Sequence, residues 1–555
     1  MNTILDKSSV QALWHSDTDS ETTQKEVLLH RIVAPNASCE FGRRHGFAAI
    51  RSIREFQQGV PVRGYENFRS DIERMARGEA EVLTSEPVRR FFITSGSMSQ
   101  PKYIPVTPSF VRDKSRAFQV FWNLVRETYP EVSRGSLVCN FSDSGHEQRT
   151  AGGLLCSSET SFWNACWRGM SGKIRSPFPR EVADIADAEV RYYTIARILL
   201  EMELAVLMTL NPSTVLFLWD VISRNFQMLV DDIARGGLCP RVAVAAPREI
   251  REYMAAQFQR NKLRAQELEK AFVGNDVAIA RRLWPNLQLV VCWRSPMVRP
   301  YLELLAPFLG DVPQRDYLTM ASEGIIAIPL QNEVSGGVLP VHTHFYEFVP
   351  EALAEEDNPQ TLLAHQLEVG KNYAVVLTTS AGMYRYNIGD IVRVNGFHGS
   401  TPAVEFLHRA GHTCSLTGEK LTESQVVDAV SEAACHLGLK IGTFTLCPAS
   451  RPYPHYVLLA EFEAASAQRI SSRFLAALDD CLGKRNMEYR AKRSSHRLGA
   501  PELCFLRAGS YAELRQARIA AGINDAQVKP ACLSRDLDWD RQFQVLERVS
   551  CESLT

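Results

Sequence analysis

A strand-like run, Arg90-Phe91-Phe92-Ile93, leads into Thr94-Ser95-Gly96-Ser97-Met98-Ser99-Gln100-Pro101-Lys102, where hydroxyls, a flexible glycine and a lysine fall within nine residues. Backbone N–H groups at glycine can form an anion nest, serine hydroxyls add donors, and lysine supplies a mobile positive charge. The chemistry such a loop can do is phosphate binding, although a solvated hairpin loop has the same composition. No G-x-x-x-x-G-K-[ST] is present, since Gly172-Lys173 and Gly370-Lys371 lack the required continuation, which disfavours a Walker-type nucleotidase. Ser99-Gln100-Pro101-Lys102 also spells S-x-x-K, the serine-acylase pairing, which needs both side chains on adjacent helical turns. Pro105 and the missing K-T-G speak against it.

Three further segments carry usable groups. In Tyr317-Leu318-Thr319-Met320-Ala321-Ser322-Glu323-Gly324 a hydroxyl and a carboxylate precede a glycine and a strand; Glu323 suits magnesium, because a hard cation takes carboxylate and phosphate oxygens together. A lone Ser-Glu-Gly is also an ordinary turn. In Met383-Tyr384-Arg385-Tyr386-Asn387-Ile388-Gly389-Asp390, set between two strands, Asp390 can accept two hydrogen bonds from a ribose diol, or simply cap a turn. Near the C-terminus, Ala526-Gln527-Val528-Lys529-Pro530 places a lysine in a short loop.

The elements that must position these groups follow from periodicity. Residues 51–58 and 67–77 have apolar positions at helical spacing, separated by Pro61-Val62 and Gly64. Residues 103–106 read as a strand and a helix starts at Ser109. Residues 195–222 read as two buried helices, the second capped by Asn211 with Pro212 at its first position. Helical patterns alternating with apolar runs such as residues 287–291 give the rhythm of an α/β domain, followed by strands at 324–330 and 373–379. The glycine-punctuated Asn395-Gly396-Phe397-His398-Gly399 changes the texture and places a domain boundary shortly beyond it. From Thr422 the order is helix (424–437), strand (443–446), strand (456–462), helix (467–483) and strand (503–507), a small α+β unit.

Composition narrows the partners. The chain has 555 residues, 62 Lys+Arg against 63 Asp+Glu and a net charge of -1, so it lacks the footprint of a protein that holds nucleic acid or an anionic membrane by charge. At roughly 100–200 residues per domain it should contain several folding units. Its 13 cysteines are odd in number and contain no C-x-x-C pair, which suits a reducing cytosol. The N-terminal residues lack a signal-peptide pattern, and no apolar run reaches membrane-spanning length.

Taken in order, the four segments resemble the auxin-responsive acyl-acid amido synthetase family, a branch of the adenylate-forming superfamily, and the chain looks like a bacterial-type member. The resemblance covers nearly the whole chain. It runs from Phe41-Gly42-Arg43-Arg44-His45-Gly46-Phe47 and Val60-Pro61-Val62-Arg63-Gly64-Tyr65-Glu66 through Cys292-Trp293, Tyr346-Glu347-Phe348-Val349-Pro350 and Leu377-Thr378-Thr379-Ser380-Ala381-Gly382-Met383-Tyr384-Arg385-Tyr386. It ends at Glu488-Tyr489-Arg490-Ala491-Lys492-Arg493, Gly509-Ser510-Tyr511 and Gln527-Val528-Lys529-Pro530.

The resemblance implies an adenylate-forming α/β fold with a large N-terminal α/β domain, residues 1–410, that binds ATP and the acyl acid. Residues 411–555 would be a small mobile C-terminal α+β cap. It implies ATP and Mg2+ as cofactors, a small carboxylic acid and an amino acid or other amine as substrates, and no obligatory protein partner. Ser95, Gly96, Ser97 and Lys102 would lie in the phosphate loop, and Ser322 and Glu323 would meet the α-phosphate and magnesium. Asp390 would bind ribose, Lys529 would arrive on domain closure, and Arg409 and Lys420 would assist the nucleotide or the rearrangement. Met98 and Ser99 depart from the family's phosphate loop, Met98 removing a hydroxyl donor. For the acid, Arg116 and residues 209–216 are candidates; Arg116 can hold a carboxylate bidentately, or belong with Arg112 and Lys114 to a solvated face. His342-Thr343-His344 would share one strand face without a third metal ligand. The competing readings are a thiol acceptor, coenzyme A or a carrier protein, and a non-catalytic scaffold of the same fold.

Overall fold

Thr107 accepts the amide proton of Phe110 while Pro108 occupies the first helical position, so the chain leaving the strand Lys102–Val106 turns directly into the long helix Pro108–Thr128. That helix lays Ala117, Phe118, Phe121 and Val125 against Leu137, Cys139, Val206, Met208, Leu289 and Val291. The strand residues alternate, as one face of a pleated sheet requires. The sheet they belong to is parallel throughout, in the order Ser136–Cys139, Leu204–Met208, Leu289–Val291, Gln314–Arg315.

The computed structural model describes residues 19–94, 102–139, 147–168, 178–182, 185, 187–271, 280–410, 413–417, 419–449, 454–462, 467–494, 498–520, 531–537 and 539–550. It divides into two compact units, Met1–Arg294 with Pro307–Phe406, and Ser295–Ala306 with Leu407–Thr555. None of the described helices is long and apolar enough to cross a membrane.

In the first unit, Arg90–Thr94 pairs antiparallel with Lys102–Val106 and parallel with Leu155–Ser157. A six-stranded sheet runs in the order Gly337–Val338, Thr401–Arg409, Tyr386–His398, Asn372–Thr378, Phe345–Pro350, Leu362–Leu363. Its Phe345, Phe348, Val375 and Leu377 share a core with Phe41, Phe47, Phe56 and Phe68 from the N-terminal helical segments. The hairpin Thr319–Ala321 and Gly324–Ala327 leaves only Ser322 and Glu323 in its turn.

The second unit is α+β. Its sheet runs Ile441–Ala449, His455–Phe462, Glu502–Leu506, Val545–Ser550, with only the middle pair parallel. The helices Glu423–His436 and Ala467–Arg485 close one face through Val426, Val430, Phe474, Leu478 and Leu482. A capping box starts the first of them, Thr422 and Gln425 each satisfying the other's backbone amide.

Two sequence expectations are corrected. Residues 195–222 do not form two consecutive helices: the strand Leu204–Met208 lies between the helices Ala188–Leu199 and Pro212–Arg224, although the Asn211 cap and Pro212 are as expected. Leu-Ala-Val-Leu-Met is buried on both faces in the middle of a parallel sheet, and a continuous apolar run carries no period that separates strand from helix. His342 and His344 are on a turn ahead of the strand Phe345–Pro350, so they share no strand face. The glycine-rich residues 395–399 finish the strand Tyr386–His398 and open its turn into Thr401–Arg409, inside the six-stranded sheet.

Candidate active site

Thr94 and Lys102 are register partners, so the strands on either side of residues 95–101 are fixed against each other. Ser95, Gly96, Ser97, Met98 and Ser99 lie outside the described residues. Lys102 opens a strand and not a helix, so the adjacent-turn geometry of a serine acylase is not built here. Its ammonium sits 5.4 Å from the centre of the Tyr65 ring and donates to the Tyr386 hydroxyl at 3.5 Å. The Tyr65 ring is pinned by the Tyr103 backbone, accepting from its N–H at 2.7 Å and donating to its carbonyl at 3.2 Å. Burial pushes the Tyr65 phenol up to about 12, so it stays neutral beside the lysine.

Tyr386 continues the chain, donating to Glu323 Oε1 at 3.4 Å. Both residues are buried. A cation, a phenol and a carboxylate from three sequence-distant motifs therefore lie in one line of contact. Glu323 reaches this position because Gly324 follows it: a Cβ there would lie 2.8 Å from Leu377 Cδ1 and 3.0 Å from His344 Cδ2. Tyr386 is placed by its neighbour. Arg385 has a left-handed backbone, φ 47°, and its guanidinium is spent inside the protein, gripping Glu347 at 2.9 Å, the Val60 carbonyl at 2.6 Å and Thr361 Oγ1 at 2.8 Å. A non-glycine residue at positive φ costs about 1 kcal/mol or more and persists where its surroundings over-determine it.

Asp390 lies four residues further on, where Ala374 pairs with Ile391 and Val376 with Asn387. The mismatch loops out Ile388, Gly389 and Asp390, and Gly389 takes φ +79° to make the bulge. Asp390 is buried there. Arg116 keeps other company. It donates to Asp113 Oδ1 at 3.4 Å, and Asp113 also holds the Arg31 guanidinium and accepts from Ser380 Oγ at 2.8 Å. Burial raises the Asp113 carboxyl against the pull of those cations. Lys114 does not belong to a solvated face: it is fully buried and paired with Glu159.

Residues 209–216 begin at the C-terminal end of the central parallel strand, the edge at which open α/β sheets bind ligands. Thr209 N donates to Val291 O and Trp293 N to Leu210 O, both at 2.9 Å, so Cys292-Trp293 lies alongside. The Thr214 hydroxyl is buried with no hydrogen-bond partner among the described residues.

In the second unit, Arg409 ends the strand Thr401–Arg409, and Lys420 has φ +49° with its carbonyl accepting from Asn486 Nδ2 at 3.4 Å. Lys529 lies outside the described residues. Among those described, Glu432, His436 and Cys481 bring one metal-binding atom each within 4.8 Å, but the Glu432 carboxylate is already paired with the Arg485 guanidinium. Sequence reasoning missed Tyr386 as a site residue and Lys114 as a buried one. Both were visible as residue types, but nothing local marks a partner 63 or 207 residues away.

Comparison with known proteins decides the family. The model of the GH3 family N-terminal domain matches residues 11–314, that of the GH3 family central domain 337–409 and that of the GH3 family C-terminal domain 424–538. The chain belongs to the GH3 family. Over 93% of its length this GH3 protein is 28% identical to the probable indole-3-acetic acid-amido synthetase GH3.12 of Oryza sativa subsp. japonica, covering 92% of that protein. It is 25% identical to the jasmonoyl--L-amino acid synthetase JAR4 of Nicotiana attenuata, over 92% of this chain and 90% of that one. The solved GH3.15 acyl acid amido synthetase superposes on 99% of this chain and 98% of its own with a TM-score of 0.84 at 21% identity, which establishes the shared fold.

Proposed function

We propose that this GH3 protein is an ATP-dependent acyl-acid amido synthetase, joining a small carboxylic acid to an amine, in the simplest case an amino acid, with release of AMP and pyrophosphate. The observation that carries this reading is the contact line Lys102–Tyr386–Glu323, which gathers a cation, a phenol and a carboxylate from three motifs at one place. Groups of that kind suit a polyphosphate and the hard cation that accompanies it. The relatives named above as amido synthetases support the amide product.

In this reading a carboxylate oxygen of the acid attacks the α-phosphorus and pyrophosphate leaves; the amine nitrogen then attacks the acyl carbonyl, loses a proton and displaces AMP. Two anions must meet in the first step, so positive charge has to be in place beforehand. Ser95, Gly96, Ser97 and Lys102 are assigned to the phosphates, Ser322 and Glu323 to the α-phosphate and magnesium, and Asp390 to the ribose hydroxyls. Lys529 is assigned to the adenylation step on closure of the C-terminal domain, residues 411–555, with Arg409 and Lys420 assisting the nucleotide. Magnesium fits the donor set, since Glu323 offers hard carboxylate oxygens to a cation that otherwise binds phosphates and water; bound there, it would neutralise phosphate charge. Arg116 and residues 209–216 are assigned to the acid, the buried Thr214 hydroxyl being a group a polar ligand would satisfy. The described cysteines are all free thiols, which supports a reducing, cytoplasmic setting.

A mass-resolved incubation with ATP, magnesium, pooled aromatic and aliphatic acids and pooled amino acids tests the reading. AMP together with a new acid–amine amide is expected. AMP with a thioester only when coenzyme A or a carrier protein is added would move the assignment to a thiol acceptor. No nucleotide turnover and no ATP binding would support a scaffold.

A further inference from the structure

Lys114 lies near Glu323, and the reading above leaves it without a task. It sits in the first turns of the helix Pro108–Thr128 with its side chain buried, and it is fully engaged. Its ammonium pairs with Glu159 Oε1 at 2.5 Å, donates to the Ala321 carbonyl at 2.9 Å and reaches the Ser322 carbonyl at 3.5 Å. The rings of Phe110 and Phe92 lie 5.2 and 5.8 Å from it. An ammonium has three protons, and all three directions are used. Glu159 is fixed in turn by Trp163, whose Nε1 donates to Oε1 at 3.0 Å.

The two carbonyls that Lys114 holds belong to the turn that presents Glu323. Two-residue hairpin turns are favoured when both central residues, or the first, have positive φ, because that matches the twist of the strands. Among the described non-glycine residues positive φ occurs at Glu81, Glu333, Asn358, Arg385 and Lys420, so neither Ser322 nor Glu323 adopts it. The paired strands are also irregular, their register shifting between Ile325 and Ala327. This turn lacks the preferred geometry, and the buried ammonium holds the carbonyls of Ala321 and Ser322 within it. Burial lowers the lysine's proton affinity and Glu159 offsets part of that.

We propose that Lys114, held by its counter-ion Glu159, is the positioning residue for the Ser322–Glu323 turn and so sets the site's demand for magnesium in the first half-reaction. The inference rests on the assignment of Glu323 to the metal-bound nucleotide. Neither Lys114 nor Glu159 is a catalytic residue; they act through the turn.

Lys114→Met alone would leave Glu159 charged in the interior, so the informative variant is Lys114→Met/Glu159→Gln, in which no buried charge is stranded and Oε1 still serves Trp163. Three readouts are taken on the full chain: thermal midpoint, amide hydrogen exchange over residues 321–325, and AMP formation with ATP as magnesium is varied. The expected result is a midpoint close to that of the wild type, faster exchange confined to the turn, and a magnesium requirement raised about 10–100-fold, as for lost partners of metal ligands, with KM for the acid unchanged. Unaltered turn exchange or an unaltered magnesium requirement in the folded double variant overturns the proposal. Should the double variant not fold, Lys114→Leu/Glu159→Gln, which also strands no charge and removes the donor, is measured instead, with the same directions expected. If the wild type makes no AMP from any pool, the functional assignment has failed and hydrogen exchange alone decides whether Lys114 holds the turn.

Discussion

The Tyr386 hydroxyl donates to Glu323 across 3.4 Å while accepting from the Lys102 ammonium at 3.5 Å, and so connects two motifs that are more than 200 residues apart. Both distances are long, as catalytic hydrogen bonds often are before substrate arrives. Tyr386→Phe removes only the oxygen. A hydrogen bond to a charged group is worth about 1.5–3 kcal/mol, so AMP formation at saturating substrate should fall roughly ten- to a hundredfold. Steady-state assay of AMP release checks this; unchanged turnover in a folded variant would remove Tyr386 from the site.

The Arg385–Glu347 pair is nearly dry, its side chains 4% and 0% exposed. Arg385→Met strands the Glu347 carboxylate and abandons the carbonyls of Gln57 and Val60. Breaking a buried pair from one side costs about 3–5 kcal/mol. Urea unfolding should show a loss of that order, and the residual folded enzyme should be impaired because Tyr386 is the next residue. A change below about 1 kcal/mol would mean that water or repacking satisfies Glu347.

Gly324 is required by space and not by backbone angle. A methyl group at this position meets Leu377 Cδ1 at 2.8 Å and the His344 ring at 3.0 Å, inside a sheet core that cannot yield freely. Gly324→Ala should destabilise by about 1–3 kcal/mol and displace Glu323. The two effects are separated by measuring the thermal midpoint alongside the magnesium dependence of AMP formation.

Asp316 supplies a pH signature. Burial pushes its carboxyl up to about 7, despite hydrogen bonds from the amides of Gly336 at 2.6 Å and Arg294 at 2.9 Å. The native state therefore holds this proton over a range, from near the ordinary carboxyl value to about pH 7, where the unfolded chain has released it. Over that window the unfolded state binds fewer protons, so this group's contribution to stability falls as pH rises and levels off above about 7. Asp316→Asn should remove this contribution to the slope. Unfolding free energies of wild type and variant between pH 5 and 8 are the check, and parallel curves would place the Asp316 carboxyl in its ordinary range.

Much of the scaffold was legible because its signals are local. Asn211 followed by Pro212 is a cap whose chemistry is complete within adjacent residues, and it begins a helix as read. The strands Arg90–Thr94 and Lys102–Val106 were marked by apolar runs flanking a Ser/Gly loop, and the α+β order of the C-terminal unit by its alternating periods. Leu204–Met208 was not legible: a strand buried on both faces has lost the alternation that would identify it.

By itself the sequence marked residue types able to do chemistry, Lys102, Ser322, Glu323 and Asp390 among them, and caps and periods that shape the elements around them. Only the tertiary structure decided who meets whom. Tyr386 joins Lys102 to Glu323, Lys114 leaves its helix surface to hold the carbonyls of Ala321 and Ser322, and Arg116 turns to Asp113. The His342 and His344 imidazoles come to rest on a turn instead of a strand. The physical reason is that caps and periods are settled within a turn or two of chain, whereas a buried charge must find whichever partner the packed core brings to it, at any separation along the sequence.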